Sequence, residues 1–98
     1  EGSARAAALR ERRDALEALK LARRRTEAGH RLLAIERRKF AAEEAQFKRG
    51  RSSTDLLLRS QQDIRRAESE HLRAETDEAL ARVELARASG RLAAELAP

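Results

Sequence analysis

The stretch Arg49-Gly50-Arg51-Ser52-Ser53-Thr54-Asp55 decides the fold, because no other internal segment of the chain interrupts a helical composition. Gly50 suits the left-handed backbone conformation that ends a helix. Either Ser52 or Ser53 can cap the helix that follows, since a hydroxyl oxygen accepts a hydrogen bond from a free N–H of the first turn. The stretch therefore predicts the end of one helix, a tight turn and the start of another.

Working outward from this turn, we predict helices over about 5–49 and 53–96, with the tip turn at 49–53. Each helix is then roughly 65–70 Å long at about 1.5 Å per residue. A turn this short forces the helices to run antiparallel, side by side. The expected fold is all-α, a long antiparallel helical hairpin of the coiled-coil type. Residues 1–98 form one such fragment, and residues 1–3 are interpreted as a vector-derived remnant.

The composition agrees with long helices and excludes β-rich folds and cysteine-dependent sites. Of 98 residues, 41% are hydrophobic, but 21 are alanine against 14 leucine, and the one proline is Pro98. Such a chain, with almost no β-branched residues, favours a helix or coiled coil over a sandwich, barrel or wound sheet. Because there is no cysteine, thiol catalysis, disulfide frameworks and zinc fingers are excluded.

The charge is concentrated in the first half of the chain. Residues 1–49 carry 14 basic and 8 acidic side chains, whereas residues 50–98 carry 8 and 9. Arginines alternate with glutamates along most of the helical pattern, and no aromatic residues are interleaved with them. We therefore expect a solvated, ion-paired face and no nucleic-acid partner. A basic hairpin that binds RNA or anionic lipid is kept as an alternative.

Heptad spacing predicts which side chains lie between the helices. A second apolar or small stripe recurs on each helix, including Leu21 and Ile35 in the first and Leu72 and Val83 in the second. A simple hairpin needs one seam per helix, so two seams predict a neighbour on both sides, and self-association of this chain. The predicted inter-helix seam consists of Leu19, Leu33, Phe40, Phe47, Leu57, Ile64, Leu85 and Leu92.

The chain offers little for chemistry. Its two histidines, His30 and His71, fall at the same level of the predicted hairpin, because residues whose numbers sum to about 101 face each other. Two imidazoles are too few for a metal site without further ligands. We expect no catalytic residue, no enzyme activity, no cofactor and no metal, and interpret His71 as a packed seam residue.

The order of residues around the turn resembles a known family. Phe47-x-x-Gly50-Arg51-Ser52-Ser53-Thr54-Asp55-Leu56-Leu57, then Gln61-Gln62, then Leu85-x-x-Ala88-x-Gly90-x-Leu92, is similar to the periplasmic hairpin of the outer-membrane efflux protein (TolC-like) family. The similarity covers about 19–96 and is most specific at 47–62.

That resemblance implies a role. Members are homotrimeric exit ducts of Gram-negative bacteria, whose helices form a barrel across the periplasm and whose tips dock on a periplasmic adaptor protein. It implies that Asp55 faces the narrow end of the duct, and that this chain is excised from a longer outer-membrane protein used in efflux or type I secretion. The alternative of another class is a generic coiled-coil hairpin that acts as a scaffold or interaction module. The resemblance assigns adaptor docking to Arg49, Gly50, Arg51, Ser52 and Ser53.

Overall fold

The computed structural model describes residues 2–98 and contains two helices, α1 (Gly2–Lys48) and α2 (Thr54–Leu96). They lie antiparallel in a rod of 74 × 15 × 13 Å, and residues 2–98 contain no strand. The predicted all-α hairpin is therefore confirmed.

The helix bounds differ slightly from the prediction. The first helix begins at Gly2 rather than near residue 5, and ends at Lys48 rather than 49; the second begins at Thr54 rather than 53. The early start follows from the alanine-rich segment 4–8, which has high helix propensity. Gly2 and Ser3, interpreted as part of a remnant, continue α1, and Glu1 lies outside the described residues.

The inner seam, defined here as the residues buried between α1 and α2, is thin. Most of its buried members are alanines, and no large side chain is fully buried. Small side chains let two helices approach closely, and they enclose little apolar volume. The buried residues are Ala8, Ala15, Leu19, Ala22, Leu33, Ala67, Glu78 and Ala88.

The large residues predicted for the seam are covered to different degrees. Leu19 and Leu33 are buried, whereas Phe47 is 41% exposed. Phe47 lies in the last turn of α1, where α2 has only just begun at Thr54, so no complete turn of the partner helix covers the ring. Phe47 is therefore less covered than the predicted seam residues nearer the middle of α1. The remaining predicted members, Phe40, Leu57, Ile64, Leu85 and Leu92, are half-buried.

Polar contacts set the register at the open end of the hairpin. Arg91 donates to Glu11 at 2.6 Å, and Arg5 Nε donates to the carbonyl of Glu95 at 3.2 Å. The numbers in each pair sum to 102 and 100, close to the predicted 101. The register of the two helices at this end therefore agrees with the prediction.

Candidate functional site

The turn at the tip ends α1 with two reverse hydrogen bonds. The N–H of Arg51 donates to the carbonyl of Gln46 at 2.9 Å, and the N–H of Gly50 donates to that of Phe47 at 3.0 Å. Gly50 has φ +71°, the one positive φ among residues 2–98. This pattern is a Schellman motif with glycine at its left-handed position. The predicted role of Gly50 in ending the helix is confirmed.

The start of α2 is capped by Ser53, which decides between the two serines left open by the sequence. Its backbone is extended, and its hydroxyl accepts a hydrogen bond from the N–H of Leu56 at 3.2 Å. Ser52 has a different partner, because its hydroxyl donates to the Glu43 carboxylate of α1. Ser52 therefore bonds to α1 and Ser53 caps α2, which gives the tip a defined conformation.

The surface of the tip combines positive charge with exposed apolar side chains. Of the five residues predicted to dock, Ser52 is half-buried, while Arg49, Gly50, Arg51 and Ser53 are exposed. Asp55 is exposed in the first turn of α2. Exposed large apolar side chains beside the turn are Phe47 at 41%, Leu56 at 44% and Leu58 at 51%.

Each helix also carries an apolar stripe on the outer edge of the hairpin, away from the inner seam. Leu21, Leu32 and Ile35 in α1 are 41–48% exposed, and Leu72 and Val83 in α2 are 64% and 66% exposed. The small residues that continue the stripes are also exposed. The outer stripe of α1 consists of Leu21, Ala28, Leu32, Ile35 and Ala42; that of α2 consists of Leu58, Ser69, Leu72, Thr76, Ala79, Val83, Ala86, Gly90 and Ala93.

The two histidines meet at the middle of the hairpin, as their numbering predicts. Their ring centroids are 5.8 Å apart and the rings are tilted by 48°. His71 packs on Gly29, where an added Cβ would lie 3.1 Å from His71 Nδ1. Gly29 therefore permits a close approach of the two helices at this level.

Two carboxylates lie beside these rings; heptad spacing places the first in the seam, and the contact of the second with His71 was not predicted. Glu78 occupies a seam position but is 9% exposed and paired with Arg82, one turn further along α2. Glu75 Oε1 lies 3.8 Å from His71 Nε2. The spacing of four residues between His71 and Glu75 is the signal that could have identified the second contact.

One surface ion pair, between Arg87 and Glu84, shifts the pKa of its carboxyl group. Arg87 donates to both carboxylate oxygens of Glu84, at 3.0 and 2.5 Å, and these hydrogen bonds lower the pKa of Glu84. Both residues are exposed, so solvent screens the interaction.

The arrangement defines the class of molecule: an extended helical hairpin with a structured tip and two open edges. In residues 2–98, no group of three or more histidines and carboxylates is arranged as a metal site, and no helix is long and apolar enough to cross a membrane. Comparison of the chain with family models, with curated proteins and with solved structures finds no match.

Proposed function

We propose that this hairpin is a piece of the wall of a TolC-like outer-membrane exit duct, lying in the periplasm of a Gram-negative bacterium. The observation that carries the proposal is the pair of exposed outer stripes, one on each edge of the hairpin. A helix pair with an already packed inner seam and apolar side chains on both outer edges needs a neighbour on each side. A ring of hairpins supplies these neighbours.

Charge favours one way of joining the hairpins. The first helix carries 13 basic and 7 acidic residues, whereas the second carries 7 basic and 9 acidic residues. On these whole-helix counts, contact between α1 of one copy and α2 of the next is electrostatically more favourable than contact between two α1 helices. Such heterologous contacts extend around a ring instead of stopping at a pair, as a homotrimeric parent requires.

We propose in addition that the tip of the hairpin docks on a periplasmic adaptor protein. Exposed Leu56 and Leu58 supply apolar area, and Arg49 and Arg51 supply charge beside it. The Schellman turn and the Ser53 cap hold these groups in a fixed arrangement, which lowers the entropy lost on binding. Asp55, at the same end, is the proposed lining of the narrow duct opening.

In this proposal the chain works mechanically, by repacking helices at the tip to open the duct. It needs no cofactor, performs no reaction on the cargo, and has no nucleic-acid partner. The basic residues of α1 are interleaved with acidic ones, which supports a solvated face rather than a continuous phosphate-binding surface.

Disulfide cross-linking tests the ring arrangement, because the chain has no cysteine of its own. Leu21 and Ala79 lie on opposite outer stripes, and their numbers place them at the same level. In the double variant Leu21→Cys/Ala79→Cys we expect oxidation to produce a ladder of dimers, trimers and larger species. Lys20→Cys/Ala79→Cys is the matched control, since exposed Lys20 lies beside the stripe, not in it.

Three observations would count against the duct. A clean monomer in sedimentation at high concentration would contradict association through the outer stripes. Cross-linking that stops at dimers would favour a generic coiled-coil module. A parent gene that encodes a cytosolic protein, without a signal peptide or strand-forming segments, would exclude the proposal.

Docking is tested by binding to the α-hairpin of a periplasmic adaptor from the same organism. We expect Arg51→Glu to weaken binding while the helical circular dichroism signal is retained. Arg24→Glu makes the same charge change at an exposed position of α1 far from the tip, and should leave binding intact. Equal binding by both variants would remove the tip from the proposed interface.

A further inference from the structure

The inner seam is flanked at mid-length by an open groove on each face of the hairpin. On one face, a cleft of about 500 Å³ is lined by His30, His71 and Glu75 together with other charged side chains of both signs. On the other face, the groove has a volume of about 340 Å³ and an apolar floor, and is called the mid-groove. That floor consists of Ala28, Gly29 and Leu32 of α1 and Ala74 of α2.

The mid-groove is open because the side chains of its floor are small. Gly29 and Ala74 are half-buried in the seam and have no atom beyond Cβ, whereas Leu32 is 41% exposed. An aliphatic side chain that entered the groove would cover this apolar surface and gain dispersion contacts with it. The charged residues that line the groove are exposed and can reach solvent at its rim; they are Arg25, Glu70 and Arg73.

A large apolar side chain that matches the mid-groove lies on the outer stripe of α2. Leu72 is 64% exposed in the single hairpin. The mid-groove is lined by residues between Glu70 and Ala74 of its own α2, and Leu72 lies within that range. In a cyclic ring all copies stand at equal height. Leu72 of a neighbouring copy therefore lies level with the mid-groove.

Charge complementarity favours the same pairing. Arg31 follows Ala28 by three residues and Glu68 precedes Leu72 by four, so each lies one helical turn from the apolar contact. Because α1 and the neighbour's α2 run antiparallel, the residue after Ala28 meets the residue before Leu72. Arg31 is exposed and has no carboxylate within 4 Å among residues 2–98. The Glu68 side chain is 50% exposed, although it also pairs with Arg37 at 3.5 Å.

We propose that Leu72 of one copy inserts into the mid-groove of the next copy, with Glu68 against Arg31. The inference rests on the side-by-side association proposed above, and it names the contact that specifies the register. Apolar residues that recur along a stripe allow two helices to slide past each other, whereas a knob seated between small residues allows one height. The occupant of the mid-groove is thus a second copy of this chain.

Complementation between two variants tests this contact by sedimentation equilibrium. Leu72→Glu removes the knob, and Ala28→Glu places a charge in the mid-groove. Both positions are exposed, so the helical circular dichroism signal should be retained. We expect each variant alone to associate roughly tenfold or more weakly than the parent chain. An equal mixture should form dimers and nothing larger, because Leu72 of the Ala28→Glu copy still fits the intact groove of the Leu72→Glu copy.

Leu9→Glu is the matched control, since Leu9 is 55% exposed but lies outside both outer stripes. It should associate like the parent chain. Either variant associating as strongly as the parent, a mixture that stays monomeric, or an equal loss in Leu9→Glu would overturn the insertion of Leu72. If Leu21→Cys/Ala79→Cys still cross-links into a ladder in those cases, only the Leu72 contact fails; a monomeric parent chain would remove the ring as well.

Discussion

Replacing Gly29 by alanine measures how closely the two helices approach at mid-hairpin. An alanine in a helix interior is favoured over glycine by about 0.8–1 kcal/mol. At Gly29 this gain is opposed, because the new Cβ would lie 3.1 Å from His71 Nδ1, with His71 Cα and Cβ at 3.5 and 3.6 Å. The imidazole must shift by a few tenths of an ångström to accept it.

The magnitude follows from these two opposing effects. Overpacking a core costs typically about 1–3 kcal/mol, and the half-buried His71 ring can move, so the low end applies. We therefore expect Gly29→Ala to leave the free energy of unfolding almost unchanged. Gly90→Ala is the control, because Gly90 lies inside α2 and a Cβ there meets no atom within 4 Å. It should stabilise the hairpin by about 1 kcal/mol.

A double-mutant cycle isolates the contact. In a His71→Ala background the imidazole no longer opposes the new Cβ, so Gly29→Ala should stabilise the hairpin by the full difference in helix propensity. The cycle should then give a coupling free energy of about 1 kcal/mol between positions 29 and 71. Urea unfolding followed by circular dichroism gives each value, at one low protein concentration because association shifts apparent stability. Equal gains for Gly29→Ala and Gly90→Ala in the parent chain, without coupling to His71, would refute the close approach.

Further predictions concern the tip, the outer stripes and the surface charges. Gly50→Ala should lower stability by about 1–2 kcal/mol in urea unfolding, since a residue with a Cβ is strained at φ +71°; an unchanged midpoint would contradict the Schellman turn. Ser53→Ala should remove the N-cap and destabilise the chain by about 1 kcal/mol, and full stability would show that another group caps α2. Leu72→Glu on the outer stripe should weaken self-association in sedimentation without loss of helicity, and unaltered association would exclude that stripe as the contact. The pKa of Glu84 is lowered by its hydrogen bonds to Arg87, so their stabilising effect is present above the unfolded-state pKa and is lost as the pH falls through the folded-state pKa. Glu84→Gln should therefore flatten the acid side of the stability profile slightly, an effect that salt also diminishes; a variant as acid-sensitive as the parent would argue against it.

Much of the tip could be predicted because its determinants are local. The left-handed conformation at Gly50 depends on the absence of a Cβ, and the cap on a hydroxyl within reach of a first-turn N–H. Sequence reasoning could not choose between Ser52 and Ser53, because that choice depends on Glu43 of the other helix. The docking role assigned to the tip remains a proposal, since it concerns a partner outside the chain.

The sequence by itself determined that this chain forms two long helices, where they turn and which residues stand level. These properties follow from helix propensity, turn chemistry and a heptad period, all of which act over a few residues. Only the tertiary structure decided how deeply each side chain is covered. It left Phe47 exposed, buried Glu78 beside Arg82, and brought Glu75 and His71 to the cleft that also contains His30. Those outcomes depend on the distance and rotation of one helix against the other, which no local pattern specifies.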